Sequence, residues 1–287
     1  MRSRAVPRTS TGRKRRPKTR ARRKAAWFWP GARTRRRLSR VLRRAPRPFR
    51  WMIALALVVA LWFPVNWAYQ VFRKPTELLF PVSGTLNKTA PETWREYGPL
   101  FERYSTGLIA PELLAALAQV EGSGNPAAQT YWRWSLKPSP FEVYRPASSA
   151  VGMYQITNGT FDEARRYCVR DHIVVEAQTG AATGSCEAPG LYSRVLPSRA
   201  VELTAAYLDR RVAAALAPRR GRPVSRRQIE DLAAVIHLCG AGAGQIFARQ
   251  GMRLAVGQRC GDHSAQDYVT RVTAMRREFE ALRRAPP

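Results

Sequence analysis

The sequence predicts a mainly α-helical domain preceded by one transmembrane helix and a disordered basic N-terminal tail. Three observations carry this. A tail without a single acidic residue is followed by 22 uncharged residues, Trp51 to Phe72. Beyond them, apolar residues recur at helical spacing, as in Leu113, Leu114, Leu117 and Ala118. No internal repeat and no run of alternating strands breaks that pattern.

The chain has 287 residues, 45% of them hydrophobic and 8 of them Trp, enough to bury a core and to exclude a disordered or collagen-like chain. Its net charge of +29 suggests nucleic acid only until it is divided by position. Residues 1–50 hold 21 Lys and Arg and no acid, whereas residues 51–287 carry 28 basic and 20 acidic side chains, a net charge of +8. The basicity belongs to the tail. With Arg13-Lys14-Arg15-Arg16, Arg35-Arg36-Arg37 and interspersed prolines, residues 1–50 read as a disordered cytoplasmic tail lying against anionic lipid. No specific nucleic-acid partner is expected.

At ~1.5 Å per residue the uncharged run 51–72 measures roughly 33 Å, enough for a hydrocarbon layer of ~30 Å. Trp51 at one end and Trp67 and Tyr69 at the other suit the two lipid–water boundaries, and Pro64 is placed to bend the last turns. The positive-inside rule puts the tail in the cytoplasm and the rest across the membrane. The run is longer than a signal-peptide core and no small-x-small site follows it, so the segment is expected to stay as an anchor. Residues 73–104 are assigned to a neck, its Pro75, Pro81 and Gly84 lying in a polar stretch, with helical patterning starting near Pro91. Residues 105–287 form the domain.

Within it, Pro111 suits the first position of a helix ended by Gly122 and Gly124. Thr160-x-x-Glu163 and Ser225-x-x-Gln228 are capping-box patterns, each opening a helix. Val201, Ala205, Leu208, Val212 and Ala215 stripe another helix, and Tyr268, Val272, Met275, Phe279 and Leu282 the last. All four cysteines lie beyond the membrane run, an even count that suits an oxidising compartment. Of three possible connectivities, Cys168–Cys186 with Cys239–Cys260 closes the shortest loops. Reduced, buried cysteines are the alternative, and with three scattered histidines no zinc site is expected.

Leu114, Leu117, Ala118 and Glu121 fall on one helix face, which ends an apolar stripe on a carboxyl. A partly desolvated carboxyl there can hold a proton for general acid chemistry, or at a frayed helix end it turns to water. The residues that follow decide between the two. Glu121-Gly122-Ser123-Gly124-Asn125-Pro126-Ala127-Ala128, then Ser148-Ser149-Ala150-Val151-Gly152-Met153-Tyr154-Gln155-Ile156-Thr157 and Thr160, resemble the two-part signature of the soluble lytic transglycosylase (SLT) domains of the lysozyme-like superfamily. Ala233-Ala234-Val235-Ile236-His237-Leu238-Cys239-Gly240-Ala241-Gly242 is similar to the third motif of that family, and Tyr268-Val269-x-x-Val272 to its closing helix. The resemblance spans roughly 105–284. This chain departs from the pattern at Gly122 for the usual serine, Met153-Tyr154 for Leu-Met, Asn158 for a proline, His237 for Tyr and Leu238 for Asn, and it inserts residues 129–147 between the motifs.

The resemblance implies a lysozyme-like domain that cleaves the β-1,4 bond between N-acetylmuramic acid and N-acetylglucosamine in peptidoglycan glycan strands. Glu121 acts first as acid and then as base, closing a 1,6-anhydro ring, with no cofactor and no metal. Ser149, Gly152, Met153, Tyr154, Gln155, His237 and Tyr268 are the implied substrate-binding positions. In the insert, Tyr131, Trp132, Arg133, Trp134 and Tyr144 suit either sugar rings and stem carboxylates or packing against the body. Asp162, Glu163 and Glu202 read as solvated faces and caps, and His237 as either a partner of Glu121 or a core histidine. The implied location is a bacterial inner membrane crossed once, with the domain in the periplasm, where a cell-envelope assembly is a possible partner. Two alternatives remain: a hydrolytic muramidase of the same fold, helped by a second acid such as Glu142, and a degenerate module that only binds glycan.

Overall fold

The computed structural model describes residues 45–136, 138–177, 186, 190, 192–219 and 223–285. The basic tail up to residue 44, with both of its arginine clusters, and Lys137 of the insert lie outside the described residues. The chain divides into two compact units, Met1–Leu61 and Trp62–Pro287. Helix α1, Arg47–Arg73, is apolar and long enough to cross a membrane and continues through Pro64. Its residues up to Leu61 belong to the first unit.

The second unit is mainly helical. After a 3₁₀ turn at Pro75–Leu79 and the short helix α2, Phe80–Ser83, helix α3 runs over Ala90–Tyr104. Thr89 opens α3 with a capping box: Glu92 accepts the Thr89 backbone N–H at 2.8 Å. Tyr97, Phe101 and Tyr104 of α3 are buried in the same core as the later helices, so ordered, packed structure begins well before residue 105. Helix α4, Pro111–Gly122, starts on Pro111 as its spacing predicts and stops where Ser123 turns left-handed at φ 50°.

The stripe expected on α4 is wider than expected. Every residue from Pro111 to Ala118 is buried, because α3 and helix α8, Ala265–Arg284, pack against it. Helices α6, Pro197–Leu216, and α7, Arg226–Arg249, pack on each other and complete the core with Leu203, Leu208, Leu232 and Ile236. Helix α7 also has the length and apolarity to cross a membrane, but its run Leu232–Ile236 is buried in this core.

Ser225 caps α7 with Gln228 in the predicted capping box. The other predicted box shifts: helix α5, Asn158–Ala164, is capped by Thr157, whose hydroxyl accepts the N–H of Thr160, so Thr160 sits inside the first turn. Glu202 is likewise no solvated face. It is buried, pairs with Arg199 and accepts the Val169 N–H at 3.2 Å. Among the described residues, three short antiparallel hairpins decorate the helices: β1 (Trp132–Trp134) with β2 (Tyr144–Pro146), β3 (Tyr167–Arg170) with β4 (Ile173–Glu176), and β5 (Arg259–Cys260) with β6 (His263–Ser264). Both expected disulfides form, Cys168–Cys186 and Cys239–Cys260.

Candidate active site

The buried run Pro111–Ala118 makes α4 a rigid post, and Glu121 stands at its emerging end with its side chain 18% exposed. Backbone geometry beyond the helix holds the next segment close. The Asn125 side chain accepts the Ala127 N–H at 2.8 Å and donates to Asn87 Oδ1 at 2.9 Å, so the Asn-Pro pair locks the turn leaving the helix.

The chain then returns at residues 150–156. Gly152 donates its N–H to the Ala128 carbonyl at 2.9 Å, and Gln155 donates to the Gly152 carbonyl at 3.0 Å. Two glycines let this turn lie against the end of α4. A Cβ on Gly122 would sit 2.8 Å from Met153 Cα, and one on Gly152, at φ +79°, would sit 2.1 Å from the Arg194 carbonyl oxygen. The departure from serine at Gly122 thus has a local steric reason. Gln155 is itself left-handed at φ 47°, and its side-chain amide donates to the Ala128 and Gly152 carbonyls at 3.2 and 2.9 Å.

Glu121 opens into a groove of about 300 Å³. Val120 and Glu121 come from α4, and Gln129, Thr130, Tyr131 and Gln155 from the segment after it. Leu238 of α7, His263 of β6, and Tyr268 and Arg271 of α8 complete the lining. The Tyr268 hydroxyl donates to Glu121 Oε1 at 2.5 Å. Burial, then the neighbouring Glu121 charge, pushes the Tyr268 phenol well above its ordinary value, so it remains a donor throughout the neutral range.

His237 Nε2 lies 3.7 Å from Glu121 Oε1, too long for a hydrogen bond but close enough for its charge to be felt. Burial lowers the His237 value. The Glu121 charge and a hydrogen bond with the Tyr154 backbone oppose that shift without cancelling it, so the neutral imidazole is favoured. Its other surroundings form a small pocket of about 40 Å³ with Gln155, Thr157, Thr204 and Tyr207, next to the main groove.

The sequence-predicted residues therefore divide. Glu121, Gln155 and Tyr268 meet in the groove, with His237 beside them. Met153 and Tyr154 are fully buried, so their side chains lie in the core and only their backbone borders the site. Gly152 shapes the turn, and Ser149 braces it: its hydroxyl accepts the Asn158 N–H at 3.1 Å and its carbonyl accepts Arg194 Nη1 at 3.0 Å. Of the insert, Tyr131 lines the groove, while Trp132, Trp134 and Tyr144 pack with Trp62, Phe63 and Phe80. Glu142 is bound to Arg73 at 3.0 Å and is not among the residues lining the groove.

Gln129, Thr130, His263 and Arg271 escaped sequence reasoning. Arg271 follows Tyr268 by one helical turn, a signal that was available. His263 is brought in by a cross-link: Cys239, next to Leu238, is bonded to Cys260, which pairs across the hairpin with His263. Among the described residues no group of three or more His, Cys, Asp or Glu is arranged to hold a metal ion. Comparison with protein-family models and with curated proteins finds no match.

Proposed function

We propose that this chain is a membrane-anchored lytic transglycosylase with a lysozyme-like, SLT-type domain, which cuts peptidoglycan glycan strands on the far side of a bacterial inner membrane. The observation that carries the reading is the setting of Glu121. It stands at the end of a buried helix, hydrogen-bonded by Tyr268, in a groove shared with Gln155 of the glycine-held turn. Among the described residues lining that groove, Glu121 alone bears a carboxylate.

That count bears on mechanism. A glycosidase using water or a covalent intermediate needs a second carboxylate at ~5 Å or ~6.5–9.5 Å. A transglycosylase does not. Glu121 gives its proton to the bridging oxygen as the C1–O4 bond of the muramoyl residue breaks. The resulting carboxylate takes the proton of that residue's own 6-hydroxyl as its oxygen bonds to C1. One bond breaks, one forms, and Glu121 is left protonated for the next cycle. Tyr268 steadies the carboxylate between the two proton transfers, and a neutral His237 adds no competing acid. Glu142, the acid a hydrolytic alternative would recruit, is held by Arg73.

Helix α1 supplies the anchor, with the basic tail on the cytoplasmic side against anionic lipid and the domain in the periplasm, where both disulfides are stable. The test is to digest purified sacculi with wild type and Glu121→Gln. Wild type releases fragments one water lighter than reducing-end products. The variant loses about 10²–10⁴-fold of that activity, the range for one general acid–base group, with its unfolding midpoint unchanged. Reducing ends from wild type would make the enzyme a hydrolase, and full activity in the variant would remove Glu121 from the chemistry.

A further inference from the structure

The apolar run of α1 contains two side-chain amides, Asn66 and Gln70, and both are nearly inaccessible at 1% and 6% exposure. The insert covers them. Asn66 donates to the Tyr144 carbonyl at 2.7 Å, Gln70 to the Phe141 carbonyl at 2.6 Å, and the Trp62 indole to the Pro140 carbonyl at 3.1 Å. Positions 62, 66 and 70 form one stripe of the helix, and the β1–β2 hairpin with the loop at its tip lies along it. Trp134 stacks on Trp62, and Phe141 on Tyr69.

The docking covers one face of the helix only. Phe63, Val65 and Phe72, on the other faces of the same turns, stay exposed and apolar at 41%, 53% and 88%. A hydrocarbon layer around those turns would hold the docked hairpin at the same depth, and the surface around the hairpin is apolar. Trp134 is 64% exposed, and Leu136 of the hairpin and Leu78, Phe80 and Val82 of the turns are exposed as well. Between helix, hairpin and the turns after α1 runs an apolar groove of about 310 Å³ lined by Phe63, Trp67, Phe80, Trp132 and Tyr144. Arg133 and Arg145, paired across the two strands, alternate with the aromatic residues and so belong to the opposite face of the hairpin, where Arg133 is exposed.

We propose that the β1–β2 hairpin and the Leu78–Val82 turns form an aromatic collar immersed in the leaflet on the domain side, with phospholipid acyl chains filling the groove at Phe80. The collar lies at the depth of the last turns of α1, Trp62–Phe72, and it rests on the reading of α1 as a membrane helix. Tyr131 belongs both to the insert and to the Glu121 groove, so immersion holds the groove at the membrane surface and directs it to glycan lying there.

The test uses the full chain in vesicles of phosphatidylethanolamine and phosphatidylglycerol. Nitroxide labels are placed singly at Leu136→Cys, Phe80→Cys, Leu57→Cys and, as an aqueous reference, Arg253→Cys. All four side chains are exposed, so labelling leaves the core untouched. Collision with oxygen is expected to exceed collision with a water-soluble nickel chelate at 136, 80 and 57, with the ratio inverted at 253. Chelate-dominated signals at 136 and 80 with an oxygen-dominated signal at 57 would overturn the collar and leave the span. A chelate-dominated signal at 57 would overturn the span and the collar together.

Discussion

The phenol of Tyr268 donates its proton to Oε1 of Glu121 across 147 residues of chain, joining the first helix of the candidate site to the last. A hydrogen bond to a charged group is worth about 1.5–3 kcal/mol, and Tyr268 makes one once Glu121 has given up its proton. Tyr268→Phe keeps the buried ring and deletes the donor. Release of fragments from sacculi should fall by roughly 10–100-fold at a nearly unchanged unfolding midpoint. An active variant would mean that the bond is structural only.

Gly152 is predicted to tolerate no side chain. Its positive φ costs a non-glycine residue about 1–3 kcal/mol, and the Arg194 carbonyl occupies the place of the Cβ. Gly152→Ala should therefore lose roughly 2–4 kcal/mol in denaturant unfolding and displace Gln155 from the groove. Gly159→Ala, where a Cβ meets nothing within 4 Å, is the matched control and should change little.

Stability should depend on pH through His237. Burial depresses its value below 6.5 in the folded state, while the unfolded chain protonates near ~6.5. Between those two values the unfolded chain binds the extra proton. Its contribution is therefore intact above ~6.5 and is lost as pH falls below it, at no more than about 1.4 kcal/mol per pH unit. The variant His237→Gln should flatten the unfolding midpoint between pH 6.5 and 5. An unchanged slope would show that the imidazole binds its proton equally in the folded and the unfolded chain.

Opening Cys239–Cys260 should act on the groove as well as on stability. The bond closes a loop of 21 residues and, in the chain-entropy account, contributes about 3 kcal/mol. The double variant Cys239→Ser/Cys260→Ser frees the hairpin that carries His263. We expect a lower unfolding midpoint and a raised KM for glycan oligomers, with less effect on kcat, because Glu121 and Tyr268 are held elsewhere.

Much of this molecule was legible in order but not in depth. Pro111, Ser225 and the cysteine spacings located their elements because each acts through local geometry. The box at Thr160 slipped by three residues because Thr157 offers the same hydroxyl one turn earlier. Glu202 looked solvated because its partners, Arg199 and the edge of β3, are assembled only by packing. Met153 and Tyr154 share a motif with Gln155, yet the backbone reverses between them, so adjacency in sequence could not say which side chain faces the groove. The aromatic insert offered two roles at once, and the fold divides them: Tyr131 to the groove, Trp134, Phe141 and Tyr144 to the helix and Trp132 to Phe80.

The amides of Asn66 and Gln70 find their carbonyls 78 and 71 residues further along the chain. A helix emerging from the ribosome has neither partner yet and carries two polar groups without them in the last turns of its apolar run. On the proposed reading of α1 as an anchor, biogenesis is ordered: the last turns of the helix reach their final packing only after the hairpin has been synthesised and folded back. Chains truncated before Phe141 should be exposed to quality control as poorly seated membrane segments, even though the whole hydrophobic run is present.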